Sequence, residues 1–363
     1  MYNFDVIIIG AGIIGLSIAE KLSKKYKNIL IIEKEKSFGH HTSSRNSEVI
    51  HSGIYYPTGS LKAKLCTEGN ELLYSFLKKY KLPYRKSGKL IIATNSFEKS
   101  FLNELLERGK ANGVCGLKII SEAEVKKLEP DFKTKGALYV PSAGIMDTHS
   151  ILKKMEDLVF HNDAIISYNT EATNIKKENG VYFVTIKQEP FVVSGKVVIN
   201  AAGLWSDKVA KMVGINDYEL HWCKGEYFKT AKFKNVKHLV YPIPDPNMVY
   251  LGIHTRTNLN GDLFFGPNAN YVKNLDYSVN EENKLEFFNS IKRFLDINME
   301  DISIDTSGIR PKLQKEGDAQ KDFVIKNELD KGFKNFINLI GIESPGFTCC
   351  LSIANHVENL IEE

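Results

Sequence analysis

Hydrophobic residues in this chain come in unbroken runs and in helical stripes, and the two alternate from the start. Val6-Ile7-Ile8-Ile9 is four β-branched residues without a polar break, as expected for a strand covered on both faces. It runs into Gly10-Ala11-Gly12-Ile13-Ile14-Gly15 and then into Leu16-Ser17-Ile18-Ala19-Glu20-Lys21-Leu22, which reads as a helix. A second unbroken run, Ile29-Leu30-Ile31-Ile32, ends in Glu33. From Ser60 to Tyr80 the residues Leu61, Leu65, Leu72, Leu73, Phe76 and Leu77 share one helical face. Further helices are expected at 96–112, from Ser121 (with Glu124 as a capping box), at 147–162, near 281–296 and after Thr348.

Strands are predicted at 89–93, 137–140, 196–203, 226–230, 249–255, 262–267, 323–326 and 336–341. The stretches 164–168, 171–175 and 181–186, turned at Glu178-Asn179-Gly180, are expected to form a short antiparallel set. The character of the chain changes at 82 and returns at 142, then changes again between 221 and 301. This predicts two interleaved domains. One is made of 1–81, 142–220 and 302–363; the other of 82–141 and 221–301. The fold class is α/β for the first, a Rossmann-like layer, with a mixed-sheet α+β second domain.

The glycine turn carries the clearest chemistry. Gly10 permits a sharp turn, Gly12 lets a pyrophosphate approach the backbone, and Gly15 lets helix and strand pack closely. The helix start, at Ile13 and Ile14, presents free N–H groups to phosphate. Glu33 stands where a carboxylate can hold both hydroxyls of an adenosine ribose, and it would repel a 2′-phosphate, so FAD or NAD is favoured over NADP. Ser43-Ser44-Arg45-Asn46-Ser47 offers hydroxyls, an amide and a guanidinium to phosphate. The end of the strand at Asn200-Ala201-Ala202-Gly203 leaves its backbone open to a ligand. Ile342-Glu343-Ser344-Pro345-Gly346-Phe347-Thr348 makes a second strand–turn–helix, hence a second anion site. His51 follows the phosphate loop in an apolar run. Lys224, Tyr227, His254 and Arg256 read either as one wall of a substrate pocket or as exposed polar residues on a sheet.

Composition narrows this picture. The chain has 363 residues, 43% hydrophobic and 25% charged, as a folded globular protein has. A net charge of +4, spread out and mostly from lysine, gives no case for nucleic acid. Five cysteines without a CxxC or metal spacing point to a reducing compartment, and Cys349-Cys350 to helix packing. No signal peptide and no membrane-length apolar run is read, so a cytoplasmic location is expected. The lysines between 21 and 27 form a solvated face or a peripheral contact with the inner face of a membrane.

These pieces together resemble the FAD-dependent oxidoreductases of the D-amino-acid oxidase and glycine oxidase fold, and among them the L-2-hydroxyglutarate dehydrogenases and oxidases. The resemblance spans nearly the whole length. It rests on the Gly10-Gly12-Gly15 fingerprint with Glu33, on Thr42-Ser43-Ser44-Arg45-Asn46-Ser47 and on His51-Ser52-Gly53-Ile54-Tyr55-Tyr56. It rests also on Leu61-Lys62-Ala63-Lys64-Leu65-Cys66, Asn200-Ala201-Ala202-Gly203, Lys224-Gly225, Phe265-Gly266-Pro267, Gly308-Ile309-Arg310-Pro311 and Glu343-Ser344-Pro345-Gly346. Glu48 and Phe347 depart from it.

The resemblance implies FAD held by Gly10, Gly12, Ile13, Ile14, Gly15, Glu33, Lys34, Thr42 through Ser47, Thr173, Ala201, Ala202, Gly203, Arg310 and Ser344 through Thr348. It implies a 2-hydroxy acid whose carboxylate sits on Arg310 and whose hydroxyl proton goes to His51, while the C2 hydride passes to flavin. Tyr56, Lys224, His254 and Arg256 are then candidates for a second carboxylate. Oxygen, a quinone or an electron carrier protein would take the electrons. Oxidation of glycerol 3-phosphate or of an amine, and a non-enzymatic flavin-binding role, are the alternatives.

Overall fold

The computed structural model describes residues 2–187, 191–243 and 252–362. The strand Tyr2–Ile9 lies inside an eight-stranded sheet, between Ile29–Ile32 and Val192–Asn200, parallel to both. Val6, Ile7, Ile8 and Ile9 are all buried, because helices or strands cover both faces. On one face the helix Ile13–Leu22 packs between Thr148–His161 and Cys350–Leu360, with Leu61–Tyr80 beyond.

Val192–Asn200 divides its outer edge between two neighbours. Residues 192–195 pair antiparallel with Val181–Ile186, and residues 198–200 pair parallel with Phe336–Ile340. The sheet therefore forks. The carboxyl ends at Ile9, Ile32, Asn200 and Ile340 come out on one side, where an open α/β sheet receives its ligands. Ile165–Ser167 does not join the antiparallel set expected at 164–186. It pairs parallel with Ile29–Ile32, because Thr148–His161 precedes it and supplies the crossover a parallel strand needs. The hairpin turned at Asn179-Gly180 does form, between Ala172–Glu178 and Val181–Ile186.

Val324–Asn327 joins the forked sheet antiparallel to Phe336–Ile340, and the other strands form separate sheets beyond this end. His221–Thr230 runs antiparallel to Ser303–Lys312 over almost its whole length, setting Cys223 opposite Arg310. Leu263–Gly266 and His254–Thr257 extend that sheet. Lys89–Ile92 lies between Leu239–Pro242 and Ala137–Val140. Of the strand expected at 249–255, residues 249–251 lie outside the described residues, and strand begins at His254. The helix expected over 281–296 is a 3₁₀ turn at Glu281–Asn283 followed by Lys284–Ile291. Ser121 and Glu124 make the reciprocal bonds of the capping box. No helix among the described residues is long and apolar enough to cross a membrane.

Candidate active site

A cavity of about 370 Å³ opens at the carboxyl ends of the forked sheet and continues under the second group of sheets. At its sheet end, Glu33 accepts from the Ala11 amide at 2.7 Å and the Glu35 amide at 2.8 Å. Both carboxylate oxygens are thereby aimed and keep lone pairs for a ligand. Gly10 has φ +108°, and a Cβ there would stand 2.6 Å from the Ala201 carbonyl. The helix Ile13–Leu22 starts at Gly12 without a side-chain cap. The Ile13 amide donates to Ser43 Oγ at 3.0 Å. An uncapped helix start meeting a hydroxyl loop is a phosphate cradle. Asn46 fastens that loop, donating to the Ser43 carbonyl and accepting from the Glu48 amide, both at 2.8 Å. Arg45 lies over the Tyr277 ring and donates to the Ser307 carbonyl. Lys34 sits over Trp205, 3.0 Å from a ring centre, and burial lowers its pKa against the pull of Glu35.

At the far end His51 follows the strand Val49–Ile50. Its amide donates to Thr348 Oγ1, its carbonyl accepts from Asn70, and its Nε2 lies 3.1 Å from Ser344 Oγ. Burial, with Lys89 and His254 nearby, holds the imidazole well below its ordinary pKa of 6.5, so it is neutral at pH 7. His254 stacks on Tyr241 with centroids 3.7 Å apart, and its Nδ1 faces the Gly252 carbonyl at 2.8 Å. Burial lowers its pKa to about 3.

Arg310 is braced by backbone. Nε donates to the Cys223 carbonyl, and Nη2 to the Lys224 and Asn268 carbonyls, the last at 2.7 Å. Nη1 has no hydrogen bond among the described residues, so this nitrogen is available to a ligand. Gly225 makes the space: a Cβ there would be 3.0 Å from Nη2 and 2.7 Å from Pro267. Beneath the second turn, Glu343 is buried between Lys62 at 3.2 Å and Lys312 at 3.0 Å. Burial pushes that carboxyl up, but Lys62, Lys312 and Arg310 outweigh it and hold it below its ordinary value.

Of the residues singled out in the sequence, the cavity wall holds Gly10, Gly12, Ile13, Ile14, Glu33, Lys34, Thr42, Ser43, Arg45, Asn46, Ser47, His51, Ala201, Ala202, Gly203, Tyr227, His254, Arg310 and Ser344 through Thr348. Six others are not on it. Gly15 packs against the Gly10 carbonyl, and Ser44 is exposed on the outer side of its loop. Thr173 points out from its strand toward the Thr185 carbonyl, and its neighbours Thr170, Glu171 and Ala172 line the wall instead. Tyr56 is buried in the helical core with Cys66 and Cys349. Lys224 is engaged by Glu226 at 3.6 Å and Asp276 at 3.4 Å. Arg256 lies 4.1 Å from the Phe264 ring centre and 3.6 Å from Glu48. Tyr241 and Trp205 were not singled out but line the wall. Tyr241 sits in an apolar run, Leu239-Val240-Tyr241-Pro242, that reads only as core.

The arrangement is thus a long groove with a ribose-type acid and a phosphate cradle at one end, and a neutral imidazole and a braced guanidinium at the other. These residues fit an extended FAD: an oriented acid, an uncapped helix start beside Gly12, and the glycine turn at Gly346 near the reactive end. Comparison with known proteins agrees. A sequence profile described as "DAO: FAD dependent oxidoreductase" matches residues 5–360. The L-2-hydroxyglutarate dehydrogenase of Arabidopsis thaliana mitochondria is 36% identical over 98% of this chain and 83% of its own. That of Indibacter alkaliphilus is 32% identical over 98% of both chains. Among solved structures, the dithionite-reduced, FAD-bound L-α-glycerophosphate oxidase of Mycoplasma pneumoniae superposes with a TM-score of 0.88. It is 27% identical and covers 99% of this chain and 95% of its own. Glycine oxidase of Geobacillus kaustophilus superposes at 0.83 with 18% identity, over 100% of this chain and 96% of its own, a likeness of fold. The chain belongs to the DAO family of FAD-dependent oxidoreductases.

Proposed function

We propose that this enzyme oxidises L-2-hydroxyglutarate to 2-oxoglutarate. The observation that carries the reading is that a neutral His51 and the Arg310 guanidinium, with Nη1 unengaged among the described residues, line the same groove. A 2-hydroxy acid presents a carboxylate and a hydroxyl on adjacent carbons, which is what such a pair can grip. Its support is the two relatives named L-2-hydroxyglutarate dehydrogenases at 32–36% identity.

FAD, when bound, supplies the acceptor for the C2 hydride. Gly10 through Ile14, Glu33, Lys34, Thr42, Ser43, Arg45 through Ser47, Ala201 through Gly203 and Ser344 through Thr348 are proposed to hold it. Arg310 receives the substrate's C1 carboxylate on Nη1 without moving, since three backbone carbonyls already fix its plane. His51 takes the hydroxyl proton; the contact from Ser344 Oγ orients its ring. Segments 1–81, 142–220 and 302–363 serve as the cofactor lobe, and 82–141 with 221–301 as the substrate lobe. Electrons leave to a quinone, oxygen or a carrier protein in the cytoplasm.

The experiment is anaerobic. The FAD-loaded protein is mixed with L- and D-2-hydroxyglutarate, lactate, malate, glycerol 3-phosphate, glycine and sarcosine, and the visible flavin band is followed. Bleaching by L-2-hydroxyglutarate is the expected result. Bleaching by glycerol 3-phosphate instead would favour the activity named for the Mycoplasma structure and overturn the substrate assignment.

A further inference from the structure

One buried group beside the His51 end has no charge or hydrogen-bond partner among the described residues. Lys89 begins the strand Lys89–Ile92 and is 1% exposed. No carboxylate pairs with it and no hydrogen bond reaches its ammonium among the described residues; its neighbours are rings. Nζ lies 3.8 Å from the Tyr241 centroid and 5.4 Å from the Tyr55 centroid. His254 also stacks on Tyr241, at 3.7 Å. Two groups this close to one ring centre, each over its face, need opposite faces, so Tyr241 is held between Lys89 and His254.

The hydroxyls of Tyr55 and Tyr241 are themselves buried and without a hydrogen-bond partner among the described residues. Burial pushes both phenols up, so each carries its proton at neutral pH. A buried lysine lying against two tyrosine rings, and the hydroxyls of those rings, are therefore without an acceptor among the described residues. Protein interiors rarely keep such a set, because each lone buried donor costs free energy and a lone ammonium costs most. Tyr241 lines the cavity; Lys89 and Tyr55 are off its wall but lie against and beside that ring, so an anion at the hydroxyl edge of Tyr241 would come near all three. The other cations of this region are already engaged: Lys224 by Glu226 and Asp276, Arg256 by Glu48.

We propose that Lys89, with the hydroxyls of Tyr55 and Tyr241, receives the distal carboxylate of the substrate and sets the preference for a dicarboxylic 2-hydroxy acid. This rests on the substrate reading above, in which Arg310 takes the carboxylate next to the hydroxyl. Lys89 replaces the candidates Lys224, Arg256 and Tyr56 in the second role. Burial lowers its pKa to about 7, a consequence of having no anion beside it.

The test uses the FAD-loaded enzyme, an artificial dye acceptor and two substrates, L-2-hydroxyglutarate and L-2-hydroxybutyrate, which lacks the distal carboxylate. For Lys89→Met, KM for L-2-hydroxyglutarate is expected to rise on the order of 30-fold or more, the scale of a lost charge-assisted hydrogen bond. Its kcat should change little, and kcat/KM for L-2-hydroxybutyrate should stay within about twofold. The thermal midpoint should not fall, because the deleted charge has no protein partner. An unchanged KM for L-2-hydroxyglutarate, or an equal rise for both substrates, would overturn the proposal while leaving the reaction in place. Failure of the wild-type flavin to be reduced by L-2-hydroxyglutarate would overturn both. Should Lys89→Met not bind FAD, the Tyr55→Phe/Tyr241→Phe pair is read the same way, with a selective KM rise expected and an unchanged KM contradicting.

Discussion

Replacing each of two glycines of one turn by alanine separates what the turn does for the fold from what it does for the cofactor. At Gly15 an added Cβ would lie 1.9 Å from the Gly10 carbonyl oxygen. Ordinary contact begins near 3.4 Å, so strand end and helix must part by about 1.5 Å. Both atoms belong to backbone, and the helix is fixed on its other sides by Thr148–His161 and Cys350–Leu360, so neither partner has room to give. Overpacking a tight core costs typically 1–3 kcal/mol, and a backbone clash belongs at or above the top of that range, about 3 kcal/mol. At Gly12 the added Cβ meets only Ser43 Oγ, at 3.0 Å. A rotatable hydroxyl yields a few tenths of an ångström, so the fold is spared, but the methyl stands in the cradle. Urea unfolding of the apoprotein and FAD titration by fluorescence quenching read the two effects. Gly15→Ala should shift the unfolding midpoint markedly downward. Gly12→Ala should leave it within error while weakening FAD at least tenfold. Equal midpoints for Gly15→Ala and wild type would refute the reasoning from packing, and unchanged FAD affinity in Gly12→Ala would refute the cradle.

Glu343→Gln leaves Lys62 and Lys312 buried without their anion and should cost about 3–5 kcal/mol in chemical denaturation. Because the Glu343 carboxyl is held below its ordinary value, its contribution to stability is present above about pH 4.5 and is lost as pH falls through the folded-state pKa, which a pH series of melts would show. Arg310→Lys should lower kcat/KM by roughly 100-fold with FAD content unchanged, since a single ammonium cannot keep the brace to the Asn268 carbonyl and also meet the carboxylate as Nη1 does. The acid limb of kcat/KM should lie well below pH 6.5, where an ordinary histidine would put it; a limb at 6.5 would contradict a desolvated His51. Asp147→Ala removes the cap that accepts from the His149 and Ser150 amides and should cost about 1 kcal/mol in thermal melts.

What could be read from the sequence was what depends on neighbours in sequence. The strand–glycine–helix turn, the acid after the second strand and the Ser121 capping box are local, and their geometry follows from spacing. Part of the rest was present but unread. Lys224 and Glu226 are two apart in a strand and so on one face, which is why Lys224 is engaged rather than free. Thr173 faces outward by the same alternation, one residue from Ala172 on the wall. Other facts are long-range. Glu48 reaches Arg256 from some 200 positions away, and the direction of Ile165–Ser167 is decided by the strand it joins. Lys89 shows the same limit: a lysine heading an apolar strand says nothing about whether a carboxylate waits opposite.

The cofactor groove joins Gly10 and Gly12 to Ser344 through Thr348, and the first helix lies against the last. On a ribosome these pieces emerge far apart in time. At about 5–20 residues per second, the second glycine turn follows the first by roughly 20–70 s. During that interval Ile29–Ile32 can pair with Tyr2–Ile9, but the groove lacks its far wall. FAD loading at the proposed site is therefore expected only after residues 344–348 have been made and folded. Cellular FAD supply then acts on the finished fold by mass action, stabilising it in proportion to the logarithm of free cofactor.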